Sequence, residues 1–496
     1  MSTVIRKAPT LMTETAERPF PSNFLFGAAT AAYQIEGAAH EGGRRDSIWD
    51  AFARVPGAVI NADNGDVACD HYHLYRDDVA LMKSMGLQTY RFSTSWSRVR
   101  PDGGALNLEG VDFYKRLVDE LLDADILPWL TLYHWDLPQA LQEQGGWTNR
   151  DTADRFTEYA LDMHDALGDR VNVWTTLNEP WCSSFLSYTA GIHAPGHYSK
   201  SEGMLAAHHL LLGHGQTVRE LRARDASLNL GITLNLTVAD PVDPADPADL
   251  DAARRIDGQF NRWFLDPIFR GAYPADIFDE IADAALRAAI LPGDLETIST
   301  PVDTLGVNYY HGEFVGGRPP KVPPTPGDAP TDRRSASPFP SSEDIHWHER
   351  GLPRTPMNWE VQPEGLTRLL VRVWEEYAEP SGTSLFVTEN GAAYNDEAVD
   401  EDGVVRVHDD ERVSFVRAHL GATLDAIEAG VDVRGYFYWS LLDNYEWAWG
   451  YEKRFGIVRV DYETQVRSIK DSGREYSRII AKRTLDDSAE LADAVE

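Results

Sequence analysis

Glu179 closes the run VNVWTTLNE, and Glu389 stands near the end of SLFVTENG, 210 positions further on. Each run is rich in β-branched, aromatic and leucine residues over the length of a buried strand, so each glutamate is carried to a strand end. Two carboxyl groups held about 5 to 5.5 Å apart can divide a double displacement at an anomeric carbon, one protonating the leaving oxygen and the other attacking. Such closeness separates their proton affinities, because repulsion loads the proton onto the less well supported group. Positive charge and hydroxyl donors would keep the nucleophile ionised. Arg91, inside TYRFST, and Tyr310, in TLGVNYY, are the candidates. Taken singly, a glutamate at a strand end can be a cap or a solvated loop residue, and Arg91 and Tyr310 can be structural.

Other chemistries find less support. His71 and His73 in HYH, and His208, His209 and His214, lack a zinc spacing such as H-E-x-x-H, and two cysteines make no cluster, so no metal is expected. No glycine-rich phosphate loop precedes a helix, so no nucleotide or other cofactor is expected. His134, just before Trp135 at the end of ILPWLTLYHWD, reads as a polar ligand at a strand end. A sugar presents flat apolar faces ringed by hydroxyls, so its pocket wants indoles as platforms and amides or carboxylates at the rim. The chain has fourteen tryptophans to supply them, several at expected strand ends.

The elements that would position these groups alternate. Strands are expected in FLFGAATAA, TYRFST, ILPWLTLYHWD, VNVWTTLNE, NLGITLNL, TLGVNYY, SLFVTEN and RGYFYWS. Between them lie helical patterns such as HYHLYRDDVALMKSMG, VDFYKRLVDELLDAD, DTADRFTEYALDMHDALG, 201–225, 254–263 and 276–289. Eight strands with intervening helices favour a single closed (β/α)8 TIM barrel over an open doubly wound sheet, with strand C-terminal ends converging on one mouth. The proline-rich run GGRPPKVPPTPGDAPTDRRSASPFPSSED could be a linker, but a cut there would separate the two carboxylates and close neither sheet. It is read as a long βα loop over the mouth. The expected organisation is a disordered tail over 1–18, one catalytic domain over 19–480, and an acidic tail over 481–496.

Lysine plus arginine number 46 against 79 acids, a formal net charge of −33. An acidic surface of that size repels nucleic acid and anionic membrane, leaving a neutral small molecule as the expected partner; it also serves solubility at high salt. A homo-oligomer is compatible with all of this. No run has the length of a membrane span, and the opening lacks the apolar core of a secretory signal. Cys69 and Cys182 read as buried thiols in a reducing compartment, so a cytoplasmic location is expected.

Seven stretches in order, FLFGAATAAYQIEG, YRFSTSWSRVRPDG, LTLYHWDLPQAL, WTTLNEPW, GVNYY, LFVTENG and YFYWSLLDNYEWAWGYEKRFGIV, resemble glycoside hydrolase family 1, the retaining β-glucosidases, from about Phe20 to Arg478. The resemblance implies Glu179 as acid/base and Glu389 as nucleophile, supported by Arg91, Asn308 and Tyr310. It implies Asn178 on the sugar 2-hydroxyl, Gln34, His134, Glu446 and Trp447 on the other hydroxyls, and Trp439 as the stacking floor. Trp135, Trp181 and Trp359 fall on the leaving-group side, and Phe455 joins the substrate-binding set. Family members that act on 6-phosphorylated sugars lack a carboxylate at the place of Glu446, which would repel the phosphate, so a neutral glycoside is implied. Relatives with glutamine as acid/base act on thioglucosides, and Glu179 argues against that variant. The implied reaction removes terminal non-reducing β-D-glucosyl units from cello-oligosaccharides and aryl or alkyl β-glucosides, a role in carbohydrate metabolism and in cellulose and polysaccharide degradation. A broad β-galactosidase or β-fucosidase, or a transglycosylase, is the alternative. A non-catalytic sugar-binding barrel is disfavoured by the presence of both glutamates.

Overall fold

A computed structural model describes residues 17–321 and 335–486. Eight strands, β1 (Leu25–Ala29), β2 (Thr89–Ser93), β3 (Leu127–Tyr133), β4 (Val173–Asn178), β5 (Asn229–Asn235), β6 (Thr304–Asn308), β7 (Ser384–Asn390) and β8 (Val433–Trp439), form one closed ring. Every pairing is parallel, and β8 completes the ring by setting Trp439 beside Ala29 of β1. These are the eight expected runs. They read as nearly unbroken apolar stretches because both faces of each strand are covered.

Inside the ring, Trp129 of β3 meets Phe386 of β7 and Phe437 of β8 edge to face, at 4.8 and 5.1 Å between ring centres. Since β3 and β7 lie on opposite sides, this contact fills the barrel axis. The Trp129 indole N–H donates to Thr175 Oγ1 at 2.9 Å, so the only polar atom of that plug is satisfied. Outside, helices lie between the strands, for example Leu108–Asp123, which buries Val111, Tyr114, Leu117, Val118 and Leu121 at helical spacing. Lys200–Arg224 starts at Ser199, whose hydroxyl accepts from the Glu202 N–H.

Several expectations need correction. The loop after β6 is not irregular throughout: Glu313–Gly316 and His346–Trp347 pair antiparallel, and Ala239–Pro241, from the acidic loop after β5, joins as a third strand. The helix expected over 254–263 begins at Pro247, capped by Asp246, and runs through irregular turns to Arg270. The helix expected over 276–289 is two, Ala275–Ile281 and Ala284–Ala289, because Asp283 turns to cap the second. Residues on both sides of the expected boundaries at 18/19 and 480/481 take part in regular structure. Arg18–Pro19 pairs with Thr484–Leu485, Asp471–Lys482 is one helix, and Arg18 ties the start of the chain to Asp425 and Glu428 at 2.7 and 3.0 Å. The rest of both expected tails, and residues 322–334 of the proline-rich run, lie outside the described residues.

Cys69 and Cys182 are buried and unpaired with each other. Among the described residues no helix is long and apolar enough to cross a membrane.

Candidate active site

The C-terminal ends of the strands surround a cavity of about 370 Å3. Glu179, the first residue past β4, and Glu389, next to last in β7, both line it and are almost completely buried. Ladder irregularities precede each of them, between Thr175 and Asn178 on β4 and between Val387 and Glu389 on β7. Such shifts aim side chains away from a regular pleat. Glu179 also has φ at 48°, and Trp135 and Trp447 on the same wall have 79° and 50°. Left-handed backbone is unfavourable for residues with a Cβ, and these three positions hold it on the cavity wall.

The two carboxyl groups are supported unequally. Arg91 Nη1 donates to Glu389 Oε1 at 2.7 Å, and the Tyr310 hydroxyl donates to Oε2 at 2.8 Å. Glu179 has an amide and a thiol: Asn308 Nδ2 donates to Oε1 at 2.6 Å and Cys182 Sγ to Oε2 at 3.1 Å. Burial, followed by the charge of Glu389, pushes the Glu179 carboxyl up to about 8. Burial pushes Glu389 up as well, but the charge and hydrogen bond of Arg91 and then the bonds from Tyr310 and Asn308 pull against it. Burial is also the first cause that lifts Glu446, on the same wall, to about 8, with Glu389 and Glu179 adding to it.

Asn178 connects the pair. Its Oδ1 accepts from Arg91 Nη2 at 2.6 Å and Asn308 Nδ2 at 3.1 Å, so its Nδ2 is the donor toward His134 Nε2 at 3.1 Å. Burial and Arg91 hold His134 well below its usual range, hence neutral. Its proton is therefore on Nδ1, a buried atom with no partner in the protein. Glu446 Oε2 and Gln34 Oε1 are likewise buried and unpartnered. His134 Nδ1 and Glu446 Oε2 both belong to residues of the cavity wall, where a hydroxyl-rich ligand would satisfy them.

Of the expected residues, His134, Trp135, Glu179, Trp181, Asn308, Tyr310, Trp359, Glu389, Trp439, Glu446, Trp447 and Phe455 line the cavity. Arg91 and Asn178 stand behind the wall, each bonded to groups on it. Gln34 is not on the wall either: its Nε2 is bonded to Asn444 Oδ1 and the Tyr445 carbonyl, at 3.1 and 2.8 Å, fastening the segment after β1 to the loop that carries Glu446. Trp439 lies nearly parallel to His134 at 5.6 Å, and Trp135 lies 4.5 Å from Trp447. Sequence reasoning missed Cys182 and Asn235 as wall residues. Cys182 is three places beyond Glu179 in a helical turn, and Asn235 ends β5 beside Asn308, so the strand-end argument could have found it.

The sequence profile described as Glycosyl hydrolase family 1 matches residues 16–485. A protein of Bifidobacterium breve described as a bifunctional β-D-glucosidase/β-D-fucosidase is 46% identical over 471 residues, 93% of this chain and 98% of the relative. The crystal structure of a psychrophilic β-glucosidase from Micrococcus antarcticus superposes with a TM-score of 0.91 at 55% identity, over 94% of this chain and 98% of that one. A β-glucosidase from Thermotoga maritima, solved in complex with deoxynojirimycin, gives 0.83 at 42% identity, over 94% and 99%.

Proposed function

This chain belongs to glycosyl hydrolase family 1, and on that premise we propose that Glu389 attacks the anomeric carbon of a β-glucoside while Glu179 gives its proton to the departing oxygen. The protein is a retaining β-glucosidase. The observation that supports this division of labour is the unequal support of the two carboxyl groups. The oxygens of Glu389 accept from Arg91 and Tyr310, which stabilise an anion, whereas Glu179 has no cation bonded to it, and burial followed by the charge of Glu389 pushes its carboxyl up.

The first displacement turns Glu389 into an ester and removes its charge. The repulsion that raised Glu179 then falls away, its proton affinity drops, and it can take a proton from the incoming water. Asn178, held by Arg91 and Asn308, is the group for the 2-hydroxyl, where a hydrogen bond strengthens as positive charge grows on the ring. His134 Nδ1–H and Glu446 Oε2 would satisfy their unmet bonds on the remaining hydroxyls, with Trp439 beneath the ring and Gln34 behind the wall holding the loop that carries Glu446. Cello-oligosaccharides are the natural substrate class of this reading, with a part in cellulose breakdown. Two buried free thiols favour a reducing compartment such as the cytoplasm. The relative's second activity favours β-D-fucosides as additional substrates, checked by kcat/KM for matched nitrophenyl glycosides.

Glu389→Ala should lower kcat by more than about 10^4-fold. Added azide should then give the α-glucosyl azide from an activated β-glucoside, while Glu179→Ala with azide should give the β-azide. A Glu389→Ala enzyme with near-normal turnover would falsify the assignment.

A further inference from the structure

Asn308 bonds both Asn178 and Glu179, and it meets them with the nitrogen of its amide. Asn178 Oδ1 accepts from Arg91, which has only donors, so the group across from that oxygen must be a donor too. The oxygen of the Asn308 amide is held from the other side: the Thr388 hydroxyl donates to Oδ1 at 2.8 Å. Thr388 Oγ1 itself accepts from the Thr233 hydroxyl at 3.4 Å, so the single Thr388 proton is free for Asn308. Asn308, Thr388 and Thr233 stand on β6, β7 and β5 and are fully buried. Ladder partners on β7 and β6 run from Val387 and Val307 to Glu389 and Asn308, so Thr388 is the extra residue of a bulge, beside the nucleophile. Gly306 leaves room for both hydroxyls, since a Cβ there would collide with Thr233 Oγ1 and Thr388 Oγ1. A packing role at such a position would be met by valine, without the cost of burying a hydroxyl.

We infer that Thr388 is a positioning residue for proton transfer by Glu179: its hydroxyl holds the Asn308 oxygen, so that the amide faces the carboxyl with its N–H, and strengthens that donor by polarising the amide. The inference rests on the reading of Glu179 as proton donor and adds what sets its acid strength. As the proton passes to the departing oxygen, the carboxylate left behind is stabilised by the Asn308 N–H more than the neutral acid was. A weakened or reversed amide therefore makes Glu179 a weaker acid. The other titratable groups facing Glu179 are Glu389, Arg91, Glu446 and the Cys182 thiol, and a change at Thr388 alters none of them.

The test follows kcat/KM of the whole enzyme against pH for cellobiose and for 2,4-dinitrophenyl β-glucoside, whose leaving group departs without a proton. Thr388→Val should move the alkaline limb for cellobiose upward by about half a pH unit. Below that limb it should lower the ratio of kcat/KM for cellobiose to that for the dinitrophenyl substrate about threefold, the matching loss of acid strength. Thr388→Ser, which keeps the hydroxyl, should restore both the limb and the ratio. Should Thr388→Val fail to fold, Thr388→Ala is read in the same way. An unmoved limb, an equal loss on both substrates, or a serine variant that behaves like the valine one overturns the inference and leaves the catalytic reading intact. Glu179→Ala, measured alongside, should lose far more on cellobiose than on the dinitrophenyl substrate; equal losses there overturn the proton-donor reading and the inference with it.

Discussion

The two oxygens of Glu179 are not equivalent hosts for its proton. Oε1 accepts from the Asn308 amide and Oε2 from the weaker Cys182 thiol, so the acid proton is better accommodated on Oε2. The thiol donates to the ionised carboxylate and so favours proton loss, against burial and the charge of Glu389, which favour retention. The other charged groups facing this carboxyl are Arg91, from β2, and Glu446, from the loop after β8. Because the enzyme needs Glu179 protonated at the first displacement, kcat/KM should fall as pH rises through about 8. Cys182→Ala removes a donor to the anion and should move that alkaline limb upward by about half a pH unit; Cys182→Ser, a stronger donor, should move it downward. A limb that stays put in both variants would show that the thiol only fills space. Little of this was legible in the sequence. Glu179 and Glu389 stand out because apolar runs end at them, but a cysteine earns notice by spacing to other cysteines, and nothing in the chain marks Cys182 as a neighbour of the carboxyl three places earlier.

The loops that follow β7 and β8 are joined below the site by buried charge. Lys470, just before the helix Asp471–Lys482, donates to Asp443 Oδ1 at 2.7 Å and also bonds Asp396; Arg412 holds Asp396, and Arg454 holds Asp443 at 2.7 Å. Asp443 lies three residues before Glu446, so this network sets where the loop carrying Glu446 and Trp447 leaves the barrel. Lys470→Met would leave the buried carboxylates Asp396 and Asp443 to Arg412 and Arg454 alone, a change that should cost about 3 to 5 kcal/mol. A lowered unfolding temperature together with a raised KM for all glucosides is the expected result, read by calorimetry and steady-state kinetics. An unchanged KM would separate this network from the sugar site. At this scale the barrel itself was the legible part: strands covered on both faces must be apolar throughout, and an unbroken apolar run survives any choice of register. The small sheet over the mouth was not, because Ala239–Pro241 and His346–Trp347 are two or three residues long, rich in proline and charge, and become strands only by lying beside Glu313–Gly316. The helix Pro363–Val373 escaped for a related reason, since its apolar residues follow a proline-rich run that masks where the periodicity begins.

For the molecule as a whole, the cavity is a region where function opposes stability. Glu179 and Glu446 are carboxyl groups folded into low dielectric beside Glu389, each pushed to about 8. Their unfolded values lie near 4.3. Below that pH each carries its proton in both states and contributes nothing to the pH dependence. Between about 4.3 and 8 the folded chain holds protons that the unfolded chain has released, so rising pH favours unfolding, and above 8 the full penalty of the buried charge is present. Salt-bridged carboxylates elsewhere act in the opposite sense: Asp240, lowered to about 2 by Arg368 and Arg350 against burial, stabilises the fold above its unfolded value and loses that contribution as pH falls toward 2. A substitution that deletes the titration of one site group while keeping its shape isolates the first effect. Glu179→Gln retains an oxygen for the Asn308 amide but never ionises. It should unfold at the same temperature as the wild type near pH 4 and at a progressively higher one as pH approaches 8, while losing activity on glycosides with poor leaving groups. Paired thermal scans from pH 4 to 8 measure the difference directly. A constant offset across that range would mean that the carboxyl of Glu179 titrates alike in both states, and the electrostatic account of its role as proton donor would fail with it.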